Sequence, residues 1–205
     1  MRPWPRQCYA RPVLEVARAL LGQHLVRVTD EGTVVLRLTE VEAYGGADDP
    51  GSHSFRGRTP RNAVMFGPAG HSYVYFTYGM HHCVNVVTGR EGEASAVLLR
   101  AGEVVAGEDL VRARRGAVAF RDLARGPARL TVALGIDRGQ DGLDLTDPVA
   151  GLFVAAAEGA VDGMIETGPR VGVSGDGALR HWRFWLREEP TVSPYRAAAP
   201  RAPRA

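Results

Sequence analysis

Extended segments outnumber helices along this chain, and nowhere do the two alternate in the βαβ rhythm of a parallel sheet. Strand-like patterns occupy residues 25–28, 33–44, 73–77, 83–88, 96–99, 152–156, 170–173 and 182–187, with turns marked by Asp30-Glu31-Gly32, by Gly79 and by the stretch from Gly89 to Gly92. Helical periodicity is confined to 12–21, 110–115 and 127–134. The first helix opens on Pro12 and stops at Gly22, and the third is bracketed by Gly126-Pro127 and Gly135. The three strand patterns from Tyr73 to Leu99 fit neighbouring antiparallel strands. The expected fold is therefore α+β: a single domain over 1–195, with a curved, largely antiparallel β-sheet flanked by helices. A tail at 196–205, rich in Ala, Pro and Arg, is expected to be disordered.

With 205 residues, 45% of them apolar and 23% charged, the chain suits one well-packed soluble domain. There is no run of about 18 apolar residues, and the first eight residues lack the apolar core of a signal peptide, so a cytoplasmic location with no membrane partner is expected, nucleoid-associated in a bacterium. Cys8 and Cys83 match neither a disulfide framework nor a metal spacing and read as reduced thiols. All 25 cationic residues are arginine. Without lysine, only the N-terminal amine could form a Schiff base. A net charge of +2 is too small to declare a nucleic-acid partner, but its distribution is uneven. Arg56, Arg58 and Arg61 form one cluster, and six arginines from Arg112 to Arg129 form another around Asp122. Phosphate contacts would explain both clusters, and so would a solvated helix face plus a loop.

Chemistry-bearing residues gather in three places. In 73–80, strand alternation puts Tyr73, Tyr75 and Thr77 on one face, and Gly79 permits a tight turn that lifts Tyr78 and Met80 to an exposed tip. An aromatic and a methionine on a tip make a poor surface unless something covers them. In 40–44, Glu40, Glu42 and Tyr44 share a face at a strand end, where a partly buried carboxylate can serve as general base and the other acid is a paired surface residue. Between them, the Gly, Ser and Pro rich stretch 45–60 is an ordered functional loop or a floppy one, and its His53 could fold over the same face. His81 and His82 point to opposite faces of a strand with no further suitably spaced ligand, so neither metal nor cofactor is expected. Arg100 emerges from an apolar strand, where it could meet a carboxylate or a phosphate.

The ordered succession Glu40-Val-Glu42-Ala-Tyr44, Ser52-His53-Ser54, Thr59-Pro60-Arg61-Asn62, Met65-Phe66, Tyr73 to Met80, Cys83-Val-Asn85 and Leu98-Leu-Arg100-Ala101 closely resembles the alkyladenine (3-methyladenine, methylpurine) DNA glycosylase family. The likeness runs from Leu20-Leu21-Gly22 through Gly126 to Leu130, on to Arg170-Val-Gly-Val173 and Trp182-Arg183-Phe184. It implies a monomer acting on double-stranded DNA that contains damaged purines. Glu42 would activate the attacking water, and Tyr44 and Tyr75, opposed by His53, would sandwich the extruded base. Asn85 would disfavour guanine, and the backbone at Val173 would touch the base. Tyr78 and Met80 would form the DNA wedge, with Arg61, Arg100 and Arg129 at phosphates or, for Arg100, at the pocket. Without lysine, the implied glycosylase is monofunctional. His81-His82 and Ser174-Gly-Asp-Gly177 depart from the patterns of other members.

Two other readings use the same residues: a non-catalytic nucleic-acid-binding module, in which Glu42 would only repel phosphate, and a hydrolase of free nucleosides, which would need no wedge.

Overall fold

A computed structural model of the chain describes residues 1–77, 79–159 and 161–199. Its strands in chain order are β1 (His24–Thr29), β2 (Gly32–Gly45), β3 (Ser72–Thr77), β4 (His81–Thr88), β5 (Ser95–Ala106), β6 (Leu152–Ala155), β7 (Ile165–Gly168) and β8 (Arg183–Leu186). Three α-helices join them among the described residues: α1 (Val13–Leu20), α2 (Glu108–Arg115) and α3 (Pro127–Leu134). The sheet is open and antiparallel, in the order β3-β4-β5-β2-β1-β6, with β8 added to β2 and β7 to β8.

β2 organises this arrangement. One edge pairs with β5 along its length, while the other changes partner, from β1 over the first half to β8 at Glu40, Val41 and Glu42. The change coincides with a register shift against β5 between Leu38 and Glu40, a bulge of the kind that re-aims side chains.

The two faces of the sheet differ in kind. Val41, Ala43, Val74, Val84, Val86, Val97 and Leu99 point to the main core, where Val16 and Leu20 of α1, Val111 of α2 and Leu130 and Leu134 of α3 cover them. The opposite face carries a smaller cluster of Met65, Tyr73, Val87, Ala94 and Ala96 beneath the loop that follows β2. That loop is ordered by its own polar groups. Ser52 and Ser54 are buried with hydroxyls 2.7 Å apart, Ser54 Oγ donates to Ala94 O (3.1 Å), and Asn62 Nδ2 donates to His53 O (2.9 Å) and Gly57 O (3.0 Å).

Two strand expectations need correction. No strand occupies 170–173, where the chain turns at Val171-Gly172 with Gly172 at φ +71° and Arg170 wholly buried; β7 lies just before it. β5 runs seven residues past Leu99, to Ala106. Gly102 and Glu103 hide this continuation, yet a Cβ at Gly102 would lie 3.0 Å from Arg37 O, so the close approach of β2 favours glycine there. In the tail, 196–199 form neither helix nor strand, and 200–205 fall outside the described residues.

Candidate active site

One rung of the sheet builds the floor of a cavity. Tyr73 of β3 is opposite Asn85 of β4, Asn85 is opposite Leu98 of β5, Leu98 is opposite Glu42 of β2, and Glu42 is opposite Arg183 of β8. Side chains in register on neighbouring strands share a face, so residues from 42 to 183 meet in one row. The cavity above holds about 420 Å³, within the usual range for a small-molecule site, and Tyr44, His53, Tyr73, Tyr75, Asn85 and Arg100 are among its lining residues.

The two acids of β2 have different surroundings. Glu40 is not the surface residue expected for one of the pair: it is wholly buried. Its Oε1 accepts from Arg100 Nε and Arg183 Nε (2.7 Å each) and from Ser193 Oγ (2.9 Å), and its Oε2 accepts from the Ser193 N–H (2.7 Å). Burial alone would raise its pKa, but Arg100 and Arg183 outweigh that and hold it below the ordinary value. Glu40 is thus saturated by donors. Glu42 is equally buried but accepts from Val171 N–H at Oε1 (2.7 Å) and from Tyr44 Oη (2.8 Å) and Arg100 Nη1 (3.2 Å) at Oε2. Tyr44, Arg100 and Val171 all line the cavity, which places Glu42 directly behind its wall.

Arg100 faces these carboxylates rather than a DNA backbone. It is 5% exposed, and its Nη2 donates to Ser193 Oγ (3.2 Å). Burial works against its charge, but Glu42 and Glu40 outweigh this and push its pKa up. Arg100 lines the cavity, and a phosphate contact would require breaking two ion pairs.

Aromatic residues form the rest of the wall. Burial, then Glu42, raises the Tyr44 pKa well above its ordinary value, and burial pushes Tyr73 up to about 12. His53 meets Tyr75 with ring centroids 4.6 Å apart and planes at 73°, and its Nδ1 lies 3.0 Å from Tyr73 Oη. His53 and Tyr75 therefore touch, and a base does not fit between them. They form one side of the cavity together, which corrects the expected opposition of His53 to Tyr75. Burial, then the Arg61 charge, lowers the His53 pKa, favouring the neutral imidazole. Asn85 is buried, its Nδ2 held by Tyr73 O at 2.9 Å, and Val173 lines the cavity from the turn after Arg170.

Met80 is 67% exposed on the β3–β4 turn, beside Gly79 at φ +68°. Tyr78, expected as the wedge, lies outside the described residues. Arg61 is exposed, 5.5 Å from the Tyr75 ring centroid. Arg129 is half exposed and bound to Asp122 at 3.1 Å. Much of the arginine segment is engaged within the protein: Arg112 with Glu108 (2.7 Å), Arg114 with Glu31 (2.6 Å), Arg115 with Leu123 O (2.8 Å) and Arg125 with Val192 O (2.8 Å).

Sequence reading missed several members of the site. Tyr73, to which the sequence assigns no part in the pocket, lines the cavity and meets His53; its alternation with Tyr75 is the available signal. Arg183 and Ser193 stand far along the chain, and only the pairing of β8 with β2 brings them to Glu40.

The family model described as Methylpurine-DNA glycosylase (MPG) matches residues 7–190. A protein of Streptomyces avermitilis named "Putative 3-methyladenine DNA glycosylase" is 57% identical over 204 residues, covering 98% of this chain and 96% of its own. Proteins with the same name from Carboxydothermus hydrogenoformans and Methanocella arvoryzae are 46% and 44% identical, each over 92% of this chain and over 97% and 94% of their own. The chain belongs to the methylpurine-DNA glycosylase family.

Proposed function

We propose that this protein excises alkylated and deaminated purines, such as 3-methyladenine, from duplex DNA by hydrolysing the N-glycosidic bond. That bond is inaccessible within the base stack, so the damaged nucleotide is extruded, at a cost on the order of a few kcal/mol. The observation that carries the reading is the rung that includes Glu42, a buried carboxylate behind the wall of an aromatic cavity. A carboxylate offers about four acceptor positions. Tyr44, Arg100 and Val171 take three at Glu42 and leave one on Oε1. There Glu42 accepts a proton from the water that attacks the sugar C1′, and the base departs with the bonding electrons.

The flat base lies between Tyr44 on one side and the His53–Tyr75 pair on the other. Many alkylated purines are cationic, and a ring wall attracts a cation more strongly than a neutral base. The positive charge also improves the leaving group. Asn85 at the purine edge disfavours guanine through its exocyclic amino group. Met80, exposed on the β3–β4 turn, and Tyr78 fill the vacated space in the stack, and Arg61 and Arg129 reach phosphates. The chain has no lysine and its N-terminal amine is not part of the cavity lining, so water is taken as the nucleophile and an intact abasic strand as the product.

The test is release of 3-methyladenine from alkylated duplex DNA by wild type and Glu42→Gln. Excision by wild type and its loss in the variant are expected. A wild type that binds DNA but releases nothing would favour the binding-module reading, and a fully active Glu42→Gln would remove Glu42 from the role of base. A strand nick without added alkali would refute water as the nucleophile.

A further inference from the structure

Arg170 and Asp49 form an ion pair with both side chains wholly shielded from solvent, Nη1 to Oδ2 at 2.5 Å and Nη2 to Oδ1 at 2.7 Å. A buried ion pair is weak ground for stability, because desolvation offsets much of the attraction. The contacts of this pair suggest another reason for it. Arg170 Nη1 also donates to Ala43 O (2.9 Å), the carbonyl between Glu42 and Tyr44, and Nη2 donates to Gly177 O (3.1 Å). Its guanidinium carbon lies 4.6 Å from the Tyr44 ring centroid and 5.3 Å from that of Trp182. The residue following it, Val171, supplies the N–H that Glu42 Oε1 accepts. Asp49 in turn accepts from Gly45 N–H (3.1 Å) and Gly51 N–H (3.0 Å), fixing the chain where β2 becomes the loop.

We propose that Arg170, locked by Asp49, is a positioning residue that holds Tyr44 and Val171 on Glu42 and so sets the orientation of its carboxylate. Two of the three donors to Glu42 hang on this one side chain, one through ring stacking and the other through the adjacent peptide. Arginine suits the place because its planar fork serves a carboxylate and two carbonyls while its face lies on a ring; lysine has neither fork nor face.

This inference rests on the glycosylase reading, and the experiment separates the two. Single-turnover release of 3-methyladenine is measured for wild type, Arg170→Lys, Tyr44→Phe and the double variant, beside affinity for a duplex carrying an abasic-site analogue. Arg170→Lys is expected to lower the rate about 100-fold, the cost of an ångström-scale misplacement, with affinity within about twofold of wild type. In the Tyr44→Phe background, where one of the two routes to Glu42 is already gone, the same substitution is expected to cost less than about tenfold, because coupled sites are not additive. Wild-type rate in Arg170→Lys, equal cost in both backgrounds, or parallel loss of rate and affinity would each overturn the proposal. Should Arg170→Lys fail to fold, Asp49→Asn carries the same expectations, and failure of both to fold overturns positioning in favour of a folding role. A wild type that releases no base defeats the glycosylase reading and this one with it; an active wild type with an unaffected Arg170→Lys defeats this one alone.

Discussion

The Tyr44 hydroxyl donates to Glu42 Oε2 over 2.8 Å, from two residues along the same face of β2. Because burial and the neighbouring Glu42 raise the Tyr44 pKa, the phenol keeps its proton and remains a donor across the working pH range. Tyr44→Phe retains the ring wall and deletes this bond. A hydrogen bond to a carboxylate contributes roughly 1.5–3 kcal/mol, so single-turnover excision is expected to fall by about 10- to 100-fold. Affinity for abasic duplex should stay unchanged; a drop in affinity with an unchanged rate would assign the hydroxyl to binding instead.

Glu40 presents the opposite case, a β2 acid whose contribution is to stability. Glu40→Gln leaves the buried Arg100 and Arg183 without their shared carboxylate, which is expected to cost about 3–5 kcal/mol in urea unfolding. The pH dependence has a definite sign. The folded-state pKa of Glu40 lies below its ordinary value, so its contribution is full above the unfolded value of about 4.3 and is lost as pH falls through the folded one. Wild-type stability should therefore fall on acidification below about pH 4.5, and the slope should be shallower in Glu40→Gln. An unchanged slope would contradict the assignment.

The legible part of this protein was local. Period-two alternation placed Tyr73 with Tyr75 and Glu42 with Tyr44, and the flanking Pro and Gly residues located α1 and α3, because those signals depend on near neighbours alone. The hidden part was the register. Nothing near Glu42 in sequence says that it is opposite Leu98 and Arg183, and nothing near Arg170 says that its side chain meets Asp49, 121 residues earlier. The segment at 170–173 looked like a strand because valines flank Gly172; it is a turn because Arg170 is drawn inward by Asp49 and Gly172 takes a positive φ.

The neutral state favoured for His53 comes from burial and from Arg61, which can be separated experimentally. Arg61→Ala removes the second cause only, so the His53 midpoint, followed by NMR of its ring protons, is expected to move up towards the unperturbed value of about 6.5. The depressed folded value also means that the unfolded chain takes up the proton first. Stability associated with neutral His53 is then full above about pH 6.5 and declines as pH falls towards the folded value. A midpoint that stays fixed or moves down in Arg61→Ala would show that the Arg61 charge does not reach the ring.

Gly51 marks how tightly the loop is packed against the Arg170–Asp49 pair. A Cβ there would lie 2.7 Å from Arg170 Nη2 and 2.9 Å from Val173 Cγ1, distances that require something to shift. Arg170 cannot swing away without breaking its two bonds to Asp49, and Val173 lines the cavity. Gly51→Ala is therefore expected to destabilise by about 1–3 kcal/mol through overpacking and to slow base release, since the displaced groups border the cavity and the Val171 peptide that holds Glu42. Gly163→Ala is the control: its φ is ordinary and no atom lies within 4 Å of the added Cβ, so stability should change by less than about 0.5 kcal/mol. Equal effects of the two substitutions on unfolding and on excision would mean that the loop yields freely and that the pair does not fix the wall of the pocket.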